Sequence, residues 1–393
     1  MKAGRTIIVL LLVAVLLGAA LVMSMPPNLD FSLDRVKPEE TAAPDVPTLA
    51  GCAISHDHEF GAIFFESAIE DFNALGFAYG DSVDVTFSNG YQLRNLPYYN
   101  GYYTQTGEPL LVAYPGYPCI AAAINNGDCL WDVAKVSEGD TATITLNERG
   151  KYLDIQNARN IQYTDERADY ATDEIFANFR SVHAGGIQPN RLYRAASPCD
   201  NQHNRAPYVD KLMGEAGVQW ILNLSDDEEK IEGFLADPAF ACEHFKALYD
   251  GGKVMPIALN MNYTSDVFRE KIVSGLVNLS QQKGPYLVHC TEGKDRTGFV
   301  CMLLEALCGA SYQEISEDYM LTYGNYYGVT QADDLTRYSV IVDSVLDPMI
   351  RGMLGDPNAD PAAADLAAGA AAFLQAGGMT DEQITALRDC LMK

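Results

Sequence analysis

The stretch Gly284–Gly309, GPYLVHCTEGKDRTGFVCMLLEALCG, constrains the fold more than any other part of the chain. An apolar run, Tyr286-Leu287-Val288, ends in His289-Cys290, and a polar turn containing Gly293 follows. Arg296-Thr297-Gly298 then opens a second apolar run. The first run has a strand's length and the second a helix's. A strand, a tight turn and a helix in that order point successive backbone N–H groups of the turn into one concavity. The positive end of the helix strengthens that concavity as an anion site.

The side chains fit such a cradle. A cysteine at its base is favoured as the thiolate, because the helix end and a guanidinium both stabilise negative charge. A thiolate facing a bound phosphoryl group is placed for in-line attack. Arg296 suits bidentate recognition of two phosphate oxygens, which lysine cannot match. Gly293 lets the loop approach the anion closely. Thr297 is positioned to donate a hydrogen bond to the thiolate, and Lys294 adds positive charge where a second phosphate would dock. The plain alternative is a buried strand-end cysteine followed by a solvated turn. It accounts for a bare Cys-x5-Arg spacing but not for the coincidence of strand, His-Cys, central glycine, Arg-Thr-Gly and apolar helix.

This anion site has to be built locally. The chain carries 53 acidic and 27 basic residues, a formal net charge of −26. Such a surface repels nucleic acid and anionic lipid, which excludes a general polyanion-binding role. Nine cysteines and six histidines show no metal-ligand spacing, so neither a metal nor another cofactor is expected. Cys301 and Cys308 fall in the apolar helix pattern and read as small core residues.

Four regions follow along the chain. In residues 1–24, Lys2 and Arg5 precede an uncharged apolar run from Ile7 to Met23. This is the pattern of an export segment, either cleaved as a signal peptide or kept as a membrane anchor. It implies a body outside the cell or at its surface. Residues 25–49 are rich in proline, acid and small residues and read as a linker. Residues 50–153 are rich in glycine, tyrosine and β-branched residues. Alternating strips such as Ser82–Phe87 and Thr141–Leu146 predict a mostly β, barrel-like accessory domain with one helix near Phe65–Leu75. Residues 154–393 alternate strand and helix signals: strands at Arg191–Arg194, Gln219–Leu224, Lys253–Leu259 and Tyr286–His289, and a helix at Asp266–Leu279. They predict an α/β domain, a central sheet flanked by helices, with further helices over Asp356–Lys393 and a helix start at Thr380.

The string His289-Cys290-Thr291-Glu292-Gly293-Lys294-Asp295-Arg296-Thr297-Gly298 resembles the signature of the cysteine-dependent protein tyrosine phosphatases. Its Gly-Lys-Asp-Arg-Thr-Gly part resembles the atypical bacterial branch. Asn178-Phe179-Arg180 with Arg191–Arg194, then Ile315–Thr322, then Gly377–Ile384 are similar to that branch's flanking motifs. The resemblance implies a phosphatase in which Cys290 takes the phosphoryl group, water hydrolyses the phosphocysteine, and Arg296 holds the transferring group. Thr291, Glu292, Gly293, Lys294, Thr297 and Gly298 would bind the substrate phosphate. The implied partner is a phosphorylated protein, on tyrosine or also on serine or threonine, or a phosphoinositide. A soluble inositol phosphate and a non-catalytic phosphate-binding module stand as alternatives. The family's Asp-Leu-Arg-Ser strand end is Asn223-Leu224-Ser225-Asp226 here, which leaves the general acid open. Asp226 and Asp227, just beyond that strand, are the first candidates; Asp295 is next, and Asp266 follows. The stretch FGAIFFESAIEDFNALGFAYGDSVDV in the β-rich region resembles the C-terminal barrel of the S-adenosylmethionine hydroxide adenosyltransferases. That family's large domain is absent, which implies a recognition or structural module.

Overall fold

Alternation builds the first part of the fold. In Ser82-Val83-Asp84-Val85-Thr86-Phe87 the apolar residues all point inward, with Val83, Val85 and Phe87 buried, as a strand with one core face requires. Among the described residues this part has seven strands: β1 (Thr48–His56), β2 (Ile63–Phe65), β3 (Ser82–Phe87), β4 (Gln92–Tyr99), β5 (Pro109–Val112), β6 (Ala121–Ile124) and β7 (Thr141–Glu148). They close into a barrel in the order β1-β2-β6-β5-β4-β3-β7, with β7 pairing back onto β1. All neighbours are antiparallel except β4 and β5. Closure leaves no open sheet edge. Two short helices, α1 (Ile69–Ala74) and α2 (Leu130–Ala134), pack on it. The helix expected near Phe65–Leu75 is thus shorter, because Phe65 pairs with Ile54 as the end of β2.

This computed structural model describes residues 46–58 and 60–393. The export segment or anchor expected over 1–24, and most of the linker expected over 25–49, lie outside the described residues. Thr48 and Leu49, expected to close the linker, already belong to β1 through pairing with Thr145 and Ile144 of β7. Among the described residues no helix is long and apolar enough to cross a membrane.

Beyond the barrel come α3 (Leu153–Arg159), α4 (Asp173–Phe176), β8 (Arg180–Ser181), β9 (Leu192–Ala195), α5 (Ala206–Glu215) and β10 (Trp220–Asn223). Then follow α6 (Glu228–Leu235), α7 (Glu243–Asp250), β11 (Val254–Pro256), α8 (Asp266–Ser280), β12 (Tyr286–His289) and α9 (Asp295–Leu307). The chain finishes with α10 (Tyr312–Tyr327), α11 (Leu335–Ile341), a π-helical turn at Val342–Leu346, α12 (Asp347–Leu354), α13 (Leu366–Ala376) and α14 (Asp381–Met392). The sheet runs β11-β10-β12-β9-β8, parallel except for β8. Every residue of β10 and β12 is buried, as expected for parallel strands covered on both faces. Successive residues of β12 serve opposite cores. Val288 joins Leu276, Phe299 and Leu374 on one face, and Leu287 joins Val209, Met213 and Phe245 on the other.

The run after the polar turn is uniformly apolar because α9 is buried along its length from Thr297 to Leu307. Cys301 and Cys308 lie in that core, and all nine cysteines are free. The helix start read at Thr380 is a capping box with Gln383.

Candidate active site

Cys290 follows the carboxyl end of β12, between β10 and β9, the edge where open α/β sheets place their ligands. It is buried. The loop Thr291–Lys294 then leads into α9, whose second residue is Arg296. Two features fix the loop's shape. Gly293 has φ +70°, and a Cβ there would lie 2.3 Å from the Ala195 carbonyl oxygen, so no side chain fits. The loop carbonyls are pinned from outside. Glu292 O accepts from the Tyr326 hydroxyl at 2.7 Å, and Gly293 O accepts from Asn178 Nδ2 at 3.2 Å and Arg194 Nη2 at 3.0 Å. In a trans peptide the N–H points opposite to the C=O. Holding these carbonyls outward therefore turns the N–H groups of Gly293 and Lys294 toward the cradle. Between Thr291 and Lys294 no backbone N–H donates to an acceptor within the described residues.

The pinning groups are themselves held. Asp318 on α10 accepts from Arg180 Nε at 3.0 Å and Arg194 Nη1 at 2.6 Å. Burial alone would raise the Asp318 carboxyl, but the two guanidinium groups hold it well below the usual carboxylate range. The flanking motifs Asn178–Arg180, Arg194 and Ile315–Thr322 thus converge on the outer side of one loop.

Arg296 donates through Nη1 to the Leu259 carbonyl at 3.3 Å and through Nη2 to Thr291 Oγ1 at 3.1 Å. No carboxylate pairs with it in the described residues, so its charge is uncommitted. Gly298 is required for packing, since a Cβ there would meet the Tyr319 ring at 2.6 Å. Thr297 departs from expectation: its Oγ1 is buried without a hydrogen-bond partner, so the expected bond to the Cys290 sulfur is not formed. Lys294, expected to add positive charge where a second phosphate would dock, is paired within the loop. Its ammonium contacts Glu292 at 3.1 Å, the Tyr327 hydroxyl at 3.2 Å and Asp295 at 3.8 Å. Burial opposes its charge, yet the Asp295 and Glu292 carboxylates hold it well above its usual range. His289 is pushed down by burial to about 4, against the pull of Asp226. Its imidazole is neutral at neutral pH, with Nδ1 lying 3.4 Å from the Cys290 carbonyl oxygen.

The four acid candidates separate. Asp227 caps α6, accepting from Lys230 N at 2.9 Å at the exposed start of that helix. Asp266 is 84% exposed and pairs with Arg269, while Ser265 supplies the cap of α8. Asp226 does reach the sheet edge beside His289, but it is buried, and its Oδ2 accepts from Asn223 Nδ2 at 3.1 Å and Ser225 Oγ at 2.8 Å. Asp295 opens α9 beside Arg296, with its side chain 42% exposed, and lines a cavity. Among the described residues no group of three or more His, Cys, Asp or Glu side chains could hold a metal ion.

Tyr163 was not legible as a site residue. Its hydroxyl donates to Glu292 Oε1 at 2.6 Å, and its ring stacks on Tyr326 at 5.1 Å. The Arg205 guanidinium lies 4.8 Å from its ring centre and 4.9 Å from that of Tyr326. Burial would raise the Glu292 carboxyl, but Lys294 and the Tyr163 hydroxyl hold it below its ordinary value. The tyrosines at 319, 323, 326 and 327, at helical spacing, were the one available signal for this cluster. Replacing Tyr163 by phenylalanine removes a hydrogen bond to a charged group, worth about 1.5–3 kcal/mol. We expect kcat/KM to fall about tenfold or more and the thermal transition to drop by several degrees, as steady-state kinetics and calorimetry would measure; full activity would make the contact incidental.

A family model described as the tyrosine phosphatase family matches residues 174–393. No curated protein matches the chain. Among solved structures, the core catalytic domain of the PP-IP phosphatase SIW14 from S. cerevisiae, in complex with citrate, shares 21% identity. That match covers 42% of this chain and 83% of that one, with a TM-score of 0.26. P. aeruginosa TpbA shares 17% identity over 54% of this chain and 98% of its own, with a TM-score of 0.21.

Proposed function

Given that this chain belongs to the tyrosine phosphatase family and is a phosphoric monoester hydrolase, we propose that it is exported and hydrolyses phosphotyrosine monoesters through a phosphocysteine. The observation that carries the mechanism is the cradle. Cys290 lies at the base of a loop whose carbonyls are tied outward, beside an arginine with no carboxylate partner. Export rests on Lys2, Arg5 and the apolar run Ile7–Met23, with the protein acting outside the cell or at its surface, whether or not the segment stays as an anchor.

In the first step the Cys290 thiolate attacks phosphorus as the bond to the ester oxygen breaks, and that oxygen leaves with a proton from the Asp295 carboxyl. In the second, water attacks phosphorus, its proton returns to Asp295, and the P–S bond breaks to release phosphate and the thiolate. Arg296 and the loop amides hold the equatorial oxygens through both steps. Asp295 is the preferred acid because it is partly exposed, adjoins Arg296 and faces a cavity. Asp227 and Asp266 are spent at helix starts, and Asp226 is buried among its own hydrogen bonds. A non-catalytic phosphate-binding role fits this complete constellation less well.

The purified protein in chelator and reductant should hydrolyse p-nitrophenyl phosphate and a phosphotyrosyl peptide. A strict requirement for added metal, or failure on both substrates, would sink the reading. One observation favours a second class of substrate, a compact polyanionic phosphate ester: an arginine that no carboxylate pairs with among the described residues stands in the cavity beside Asp295.

A further inference from the structure

That arginine is Arg159, at the end of α3 and outside the residues matched by the family model. The barrel fixes α3 firmly. Gln156 Nε2 donates to Asn100 Oδ1 at 2.8 Å, and Asn100 Nδ2 donates to Asn160 Oδ1 at 3.1 Å. The guanidinium lies 5.2 Å from the Tyr103 ring centre, a cation–π contact that orients it without neutralising it. In a chain with 53 acidic residues against 27 basic ones, carboxylates are abundant, yet the Arg159 guanidinium makes no ion pair or hydrogen bond within the described residues.

It faces a cavity of about 240 Å³ closed on one side by barrel residues Tyr102, Asn125 and Asn126, and on the other by Met261, Asp295 and Ser344. This cavity adjoins the phosphate loop twice. Asp295 is the neighbour of Arg296, and the segment carrying Met261 also carries the Leu259 carbonyl that Arg296 contacts. Thr106 of the barrel donates to the Met261 carbonyl at 3.0 Å, which holds the two walls together. Two further observations mark it as a site. The Ser344 hydroxyl is buried without a hydrogen-bond partner. It lies in the π-helical turn Val342–Leu346, and such turns recur at functional positions.

We propose that this cavity is a leaving-group subsite, and that Arg159 with Ser344 binds a second phosphate carried by the alcohol part of the substrate. This rests on the reading of Asp295 as general acid. In its proton-bearing form Asp295 is neutral, which leaves Arg159 as the net charge of the cavity. The volume is below the ~300 Å³ of an ordinary small-molecule site, so it takes a compact group and not a peptide segment. The barrel thereby takes part in substrate choice.

The test is a matched set on the full chain: phenyl phosphate, 4-carboxyphenyl phosphate and 1,4-phenylene bisphosphate. A charge-assisted contact predicts kcat/KM about ten- to a hundredfold higher for the bisphosphate than for phenyl phosphate, expressed mainly in KM. Arg159→Met should bring that ratio to about one, Arg159→Lys should restore part of it, and Ser344→Ala should lower it. An unchanged ratio in Arg159→Met, or equal losses on all three esters, overturns the proposal. An equal gain for the carboxylated ester overturns the assignment to phosphate. If none of the esters turns over, the phosphatase reading fails instead. The cavity is then judged by titrating Cys290→Ser protein with the bisphosphate, where adding Arg159→Met must still weaken binding by the same factor.

Discussion

Replacing Cys290 by serine removes turnover of every phosphate ester while leaving the fold and phosphate binding in place. The expected loss in kcat is on the order of 10⁴- to 10⁶-fold, the scale on which deleting a nucleophile from a catalytic unit is felt. Sulfur and oxygen differ little in size, and the loop's shape is set by other groups: Gly293 with its positive φ, the Arg194 and Asn178 donors, and the buried helix α9. The anion cradle therefore survives the substitution, but a serine hydroxyl is not comparably ionised at neutral pH and cannot attack as the thiolate does. Steady-state assays on p-nitrophenyl phosphate, with calorimetric titration of phosphate into the same protein, separate the two effects. Wild-type rates from the serine protein would eliminate a phosphocysteine route.

The sequence made the centre of this site legible and left its surroundings obscure, for a physical reason. Strand, turn and helix at Tyr286–Leu307 are contiguous, so local pattern carries the Cys290–Arg296 geometry; β12 and α9 occur where that pattern places them. The alternating strips likewise yield β3 with its bounds, and closure of the seven strands fits the barrel-like expectation for the β-rich region. What local pattern cannot carry is contact between distant segments. Tyr163 reaches Glu292 across 129 positions and Arg194 reaches Asp318 across 124. Pairing of β10 with β12 was needed to bring Asp226 beside His289, and only burial distinguished it from Asp227, one residue on, which is an exposed cap. Lys294 is a further case. Its charge is plain in the sequence, but its contact with Tyr327 comes from folding the loop against α10, and its pairing with Glu292 from the shape of the loop itself.

Asp295→Asn should produce a loss that depends on the leaving group. An activated phenol such as p-nitrophenol departs without a proton, whereas tyrosine or an unsubstituted phenol needs one. Removing the true acid should thus lower kcat for phosphotyrosine by roughly a hundredfold to ten-thousandfold, with a far smaller change for p-nitrophenyl phosphate. A series of aryl phosphates measures this directly: the dependence of log kcat on leaving-group basicity should be shallow in the wild type and steep in the variant. Asp226→Asn makes the sharpest comparison. Its carboxylate accepts from Asn223 and Ser225, so an amide there disturbs the sheet edge behind His289 and should depress all esters alike. Asp227→Asn keeps a capping side chain on exposed α6, and Asp266→Asn loses only a surface pair with Arg269; both should leave the slope untouched. A steep slope appearing in Asp226→Asn and absent from Asp295→Asn would transfer the proton to the buried carboxylate and detach the cavity beside Asp295 from the chemistry.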